Sequence, residues 1–202
     1  SKYVGDWVDD EKDGKGTFYY TNGDVYIGDW VQDVQHGKGK YTFSNGDVYD
    51  GDYKEGERTG KGTYTLKNGD RYTGDFQNGE QHGKGVFAWS NGAIYEGDWV
   101  HDQRTGKGKY TWANGEEYEG DFQNNIMQGK GTLKMDDGSV YTGGFLDGKE
   151  DGNGVIVYKD GTRFEGFFKS GKRHGAFIEK DSKGNVIRKG VYKYGNLDVQ
   201  KK

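Results

Sequence analysis

The chain has 202 residues, with 38 glycines, no proline, no cysteine and a net charge of −4. Without cysteine there are no disulfides, thiolate metal sites or cysteine nucleophiles, although the compartment stays open. No apolar run is long enough to cross a bilayer as a helix, and no signal peptide is legible. The start at Ser1-Lys2, on a repeat boundary and without an initiator methionine, points to an excised fragment or a mature form, with an intracellular setting favoured.

One unit is written eight times. Its first aromatic residue stands at Tyr3, Tyr26, Tyr49, Tyr72, Tyr95, Tyr118, Tyr141 and Phe164, a step of 23 residues. Self-similarity at such a period is the signature of a repeat architecture. Counting that aromatic as position 1, glycine holds positions 3, 12 and 21 in all eight units and position 14 in seven, failing at Phe177. Of 31 aromatic residues, 26 fall at positions 1, 5, 16 and 18, a phase that a disordered glycine-rich linker does not keep. Gly28, Gly37, Gly39, Gly46, Gly74, Gly83, Gly85 and Gly92 are therefore expected to be structural.

Each unit predicts one β-hairpin. Tyr26–Val31 and Gly37–Phe43 both alternate aromatic or glycine with polar or β-branched residues, the period of a strand, and a polar loop joins them. At Ser44-Asn45-Gly46 a two-residue turn would put the next tyrosine on the wrong face. A three-residue loop with a left-handed glycine keeps the aromatics together. In that register Trp30 lies opposite Gly39 on one neighbouring strand and Gly14 on the other, a ring filling the space a missing side chain leaves.

In chain order, units one and two (3–48) carry Trp7 and Trp30. The first holds the acidic loop Asp9-Asp10-Glu11-Lys12-Asp13-Gly14, read as solvated because the closing ligand of a calcium loop would fall at Tyr20. Units three and four (49–94) are the most regular, and Trp89, Trp99 and Trp112 make the face richest in tryptophan around unit five (95–117). Unit six (118–140) puts Ile126-Met127 in its loop, an apolar pair of the kind that can mark a contact. Unit seven (141–163) has Gly144 in place of the outer aspartate. Unit eight departs most, with Phe167, Phe177, Glu179 and Asp181 breaking the pattern. With a last strand at Gly190–Gly195 it predicts a divergent cap over about 164–195, followed by a basic tail, 196–202. Residues 1–158 carry a net charge of −11 and residues 159–202 one of +7. The expected fold is all-β: one domain over 1–202, a single elongated, twisted antiparallel meander of tandem hairpins. It should have about sixteen or seventeen strands and no helices of consequence.

The unit, Tyr-x-Gly-Asp-aromatic followed by Gly-Lys-Gly and Asn-Gly, is similar to the MORN repeat. All eight units resemble it over residues 3–186, the eighth least. The resemblance implies β-hairpin repeats in a long curved strip. It also implies roles mostly in protein–protein contact and oligomerisation, with phospholipid binding also proposed. Choline- or cell-wall-binding repeats share the aromatic, glycine-rich texture, but Gly-Lys-Gly and Tyr-x-Gly-Asp match MORN far better.

No catalytic constellation is legible, and neither a cofactor nor a metal is expected. His36, His82 and His174 share one loop position in different repeats, and with His101 they are too far apart to gather around one metal. The segment Gly166–Arg173 nearly matches a phosphate-binding loop, but Arg173 stands where Ser or Thr must ligate magnesium, and no helix follows. Asp29 and Lys38 point away from the aromatic face and read as a soluble outer surface. Binding remains. The candidate groove consists of Tyr26, Trp30, Tyr49, Tyr72, Trp89, Tyr95, Trp99, Trp112 and Tyr118, fitted to a protein segment; the alternative is that these rings only fill the inside of the curl. A second reading is a phospholipid-apposed module acting through a basic end, Lys172, Arg173, Arg188, Lys189 and Lys193. A third is the regulatory arm of an enzyme whose catalytic domain lies elsewhere. Nucleic acid is not expected, for no basic stripe interleaves the aromatics. Weak homo-oligomerisation through the sheet edges is expected.

Overall fold

Period-two alternation is obeyed throughout: in the computed structural model, which describes residues 1–198, the regular elements are all strands. The chain falls into two compact units, Ser1–Gln103 and Arg104–Lys202. The first holds β1 (Lys2–Val8), β2 (Glu11–Tyr19), β3 (Val25–Val31), β4 (Val34–Thr42), β5 (Val48–Lys54), β6 (Glu57–Thr65), β7 (Arg71–Gln77), β8 (Glu80–Ala88) and β9 (Ile94–Val100). The second opens on β10 (Gln103–Thr111) and continues with β11 (Glu117–Gln123), β12 (Ile126–Lys134), β13 (Val140–Leu146), β14 (Lys149–Val157), β15 (Arg163–Lys169), β16 (Lys172–Lys180), β17 (Val186–Lys193) and β18 (Asn196–Leu197). Within each unit, strands consecutive in sequence pair antiparallel, so the fold is the expected meander. The count is 18 because the chain turns once more at Tyr194-Gly195 into the two-residue β18. Of the tail 196–202, Asn196 and Leu197 thus belong to the sheet, and 199–202 lie outside the described residues.

Two turns of different kinds alternate. Between repeats, Phe43 N–H donates to Asp47 C=O at 2.9 Å, Gly46 N–H donates to Phe43 C=O at 2.9 Å, and Gly46 has φ 99°. This is the expected three-residue loop, closed by a left-handed glycine. Inside each repeat the loop is shorter than the sequence led us to expect. Only Gln32 and Asp33 turn in the second repeat, both left-handed (φ 46° and 68°), and Asn124 and Asn125 do the same in the sixth (48° and 71°). A two-residue turn of this hand matches the twist of the strands it joins, which outweighs the cost of positive φ at Asn, Asp or Gln.

The surplus residues enter as a bulge. Gly28 faces Gly39 and Asp29 faces His36, so Gly37 and Lys38 are extra on β4, and Gly37 is left-handed (φ 59°). This corrects the predicted register on one side. Trp30 does face Gly14, but its partner on β4 is Gln35 and not Gly39. Gly39 lies instead under Tyr26, where a Cβ would stand 2.3 Å from the hydroxyl and 2.5 Å from ring carbons. The three histidines read as loop residues are likewise in strands, each between the two-residue turn and the bulge.

The core is one layer of rings lying on glycines. Tyr26, Tyr49, Tyr72, Tyr95, Tyr118, Tyr141 and Phe164 are fully buried. Trp30, Tyr53, Phe76, Trp99, Phe122, Phe145 and Phe168 are buried beside them. Position-1 and position-5 rings meet edge-on, Tyr26 to Trp30 at 5.1 Å within a repeat and Tyr26 to Tyr53 at 5.2 Å between repeats. Such pairs add about 0.5–1.5 kcal/mol each beyond the burial itself.

Candidate binding face

Which rings are free to meet a partner follows from the glycines. A position-1 ring drops onto strand glycines and is covered by the position-5 ring of the next repeat, while each position-5 ring lies over the preceding repeat, so that only Trp7, in the first repeat, is exposed. Seven of the nine expected groove residues, Tyr26, Trp30, Tyr49, Tyr72, Tyr95, Trp99 and Tyr118, are buried in this way and are packing. Each position-1 hydroxyl is also occupied, as Tyr72 donates to Asp75 C=O at 2.8 Å and Tyr118 to Asp121 C=O at 2.9 Å. That carbonyl lies opposite the bulge, and the phenol supplies the donor that the ladder no longer provides. Burial raises the pKa of these phenols, and that of Tyr141 is pushed up to about 12.

Trp89 and Trp112 differ: both are half-buried, at the turn ends of β8 and β10. They stand at position 18, where the three-residue loops leave the face uncovered. Trp89 packs on Phe87 at 4.5 Å and Trp112 on Tyr110 at 4.8 Å. In the first unit the same rank runs on through Phe18, Tyr20, Tyr41, Phe43 and Tyr64, half-buried rings 4.5–5.8 Å apart. The partly open rank is thus positions 16 and 18, which sequence reasoning had placed on the face without separating them from the covered rings. The pattern of glycine neighbours was the available signal.

Position 10 was not expected on the aromatic face, and Arg173, its one member among the candidate site residues, was read into the basic end. The short turn carries it onto the aromatic face, where Arg58 lies over Tyr49, Tyr64 and Phe76 at 5.3–5.8 Å, and Arg104 lies over Tyr110 and Phe122. Lys12 lies over Trp30 at 5.3 Å, and Arg173 over Phe164 at 4.3 Å. Cations therefore do punctuate the rings, contrary to the expectation of none. For half-buried cations such contacts are worth about 0.5–2 kcal/mol each. In the second unit the face deepens into a hollow of about 310 Å³ lined by Arg104, Tyr110, Trp112, Phe122, Ile126 and Met127. Met127, expected in a loop, is a strand residue here, and its side chain borders the hollow.

The opposite face is ionic. Lys15–Asp29, Lys38–Asp52, Lys61–Asp75, Lys84–Asp98 and Lys107–Asp121 pair one hairpin with the next. Asp29 Oδ2 also accepts the bulge N–H of Lys38 at 2.8 Å. The lysine partner and that N–H hold the Asp29 carboxyl below the usual carboxylate range. At the basic end the five cations are not equivalent. Arg173 is stacked and bonded to Tyr158, and Arg188 forms a two-bond pair with Glu179 at 2.7–2.8 Å, whereas Lys172, Lys189 and Lys193 are exposed. Among the described residues no cluster of three or more His, Cys, Asp or Glu could hold a metal ion, and no helix is long and apolar enough to cross a membrane.

A family model for the MORN repeat matches residues 3–25, 26–48, 49–71, 72–94, 95–117, 118–140, 141–163 and 164–176. No curated protein matches the chain. Among solved structures, a mutant TCP10 domain of Danio rerio CPAP is similar at 16% identity and a TM-score of 0.42, covering 89% of this chain and 90% of that one. The CPAP G-box domain is similar at 14% identity and a TM-score of 0.45, covering 89% and 100%. The Drosophila melanogaster SAS-4 TCP domain, solved in complex with a proline-rich motif of Ana2, is similar at 12% identity and a TM-score of 0.38, covering 95% and 88%.

Proposed function

The chain belongs to the MORN-repeat family, and from that premise we propose that it is a non-catalytic binding module whose aromatic face takes a segment of a partner protein. The observation that carries this reading is the hollow at Arg104, Trp112 and Met127. It joins half-buried aromatic rims, an adaptable methionine and a cation on a floor made rigid by Phe122. Tryptophan, tyrosine and arginine are the side chains that dominate protein recognition, and methionine adapts to irregular anchors. Buried rings beneath hold the exposed ones in place, so little ordering cost falls on binding. The basic end gives less support to a lipid-apposed module, because Arg173 and Arg188 are already engaged by rings, hydroxyls and Glu179.

Trp112→Ala and Met127→Ala should each weaken capture of a native partner at least tenfold with the circular dichroism spectrum unchanged, while Lys61→Ala on the ionic face leaves capture intact. Equal capture by all three proteins would overturn the reading.

A further inference from the structure

The ionic row does not continue to the end of the sheet. After Lys107–Asp121 comes Lys130, and then the same row reads Gly144, Asn153, Phe167, Ala176 and Val191 across β13 to β17. These residues are register neighbours: Lys130 faces Gly144, Asn153 faces Phe167, and Ala176 faces Val191. Where Asp29 packs its carboxylate on Gly37, nothing stands within 4 Å of a Cβ placed on Gly152. In the last repeat Phe167 Cβ lies at 3.9 Å from such a Cβ on Gly175. Phe167 is 37% exposed and Val191 44% exposed, with Asn153 and Ala176 also exposed and Val155 and Ile178 half-buried next to them. A repeat that merely caps a stack presents a polar outer face. Here aspartate and lysine have given way to apolar side chains, on the face opposite the aromatic groove.

The rim is basic. On β17 Lys189 and Lys193 flank Val191 on the same face, since side chains two apart in a strand point the same way. Lys169 flanks Phe167 in the same manner and lies over the Tyr194 ring at 6.0 Å. Lys189 and Lys193 form no ion pair among the described residues, whereas Glu165 is neutralised by Lys180 at 2.8 Å. We propose that this outer patch, Phe167, Ala176 and Val191 with Lys189 and Lys193, docks an extended acidic segment of a partner protein. Its carboxylates would stand two residues to either side of a large apolar side chain. The apolar residue covers Phe167 and Val191, and the carboxylates meet the lysines that lack partners, a match of charge and spacing. From Asn153 to Val191 the patch crosses four strands, about 14 Å, the footprint of a segment and not of a membrane.

The probe is a fluorescent peptide alternating glutamate on one face with a central leucine and phenylalanine, titrated into the full chain at low salt. A counterpart carries lysine for each glutamate, and vesicles of neutral or phosphatidylserine-containing lipid form a separate arm. The double variant Asn153→Lys with Phe167→Asp rebuilds the pair that Lys107 and Asp121 form, and so keeps the fold of the neighbouring repeats. The second variant, Lys189→Glu with Lys193→Glu, changes exposed side chains only. The acidic peptide should bind, lose affinity at least tenfold in both double variants, weaken with salt, and be unaffected by Trp112→Ala. Four results would overturn the proposal: equal binding by the variants; equal binding of the lysine peptide; vesicle binding with the same variant dependence in place of peptide binding; or self-association of the chain that the first variant abolishes without any peptide binding.

Discussion

A tyrosine at position 1 and a glycine at position 14 are two halves of one contact. The Tyr72 ring lies so close over Gly85 that a Cβ there would stand 2.3–2.5 Å from its hydroxyl and ring carbons, and its hydroxyl reaches Asp75 C=O at 2.8 Å. Tyr72→Phe removes only the hydroxyl and leaves that part-buried carbonyl without its donor, a loss of about 1–3 kcal/mol. Tyr64→Phe, whose hydroxyl only reaches the half-buried Asp47 carboxylate at a long 3.3 Å while that carboxylate keeps the Lys67 N–H at 2.8 Å, should cost within about 0.5 kcal/mol. Denaturant melts of the two variants test this, and equal costs would contradict the role given to the phenol. The fixed phase of these residues was legible in the sequence. Their division of labour was not, because alternation assigns a face and is silent on which rings of that face the neighbouring repeats cover.

At the scale of the hairpin, the chain settles a conflict between turn and register. The turn prefers two left-handed residues, and the two extra residues are absorbed at the glycine of position 12, with an aspartate closing the bulge. The sequence showed the glycine, the aspartate and the polar stretch, and the between-repeat loop at Ser44-Asn45-Gly46 was read correctly. Loop length inside the repeat was not legible, since a polar strand and a polar loop share one composition. The error moved Trp30 from Gln35 to Gly39 and hid Arg58 and Arg104. The bulge aspartates also predict a pH dependence. Hydrogen bonds from Lys15 and Lys107, with the bulge N–H groups, lower the folded-state pKa of Asp29 and Asp121. A lowered pKa gives stability that is complete above the unfolded carboxylate value, about 4, and is lost as pH falls through the folded values. Urea midpoints should be flat from neutral pH to about 5 and then fall, and Asp29→Asn should reduce that fall. A midpoint that rises on acidification would contradict the assignment.

For the whole molecule, two faces carry different chemistry, and the charge splits from −11 over residues 1–158 to +7 over 159–202. The repeat, the family and the all-β class were legible because eight copies average away local ambiguity. The binding surface was less so, since a ring that packs and a ring that binds are the same residue type in the same phase. The five tryptophans separate the two roles. Trp30 and Trp99 are buried, at 4% exposure, Trp89 and Trp112 are half-buried, and Trp7 is 56% exposed. Incorporation of 5-fluorotryptophan gives five fluorine resonances, assigned by single Trp→Phe substitutions and followed as a captured partner is added. The account predicts that the Trp112 resonance shifts and loses its solvent isotope effect, while Trp30 and Trp99 are protected from the start and stay in place. Solvent-accessible Trp30 and Trp99 in the free protein, or a partner that leaves Trp112 unchanged, would contradict it.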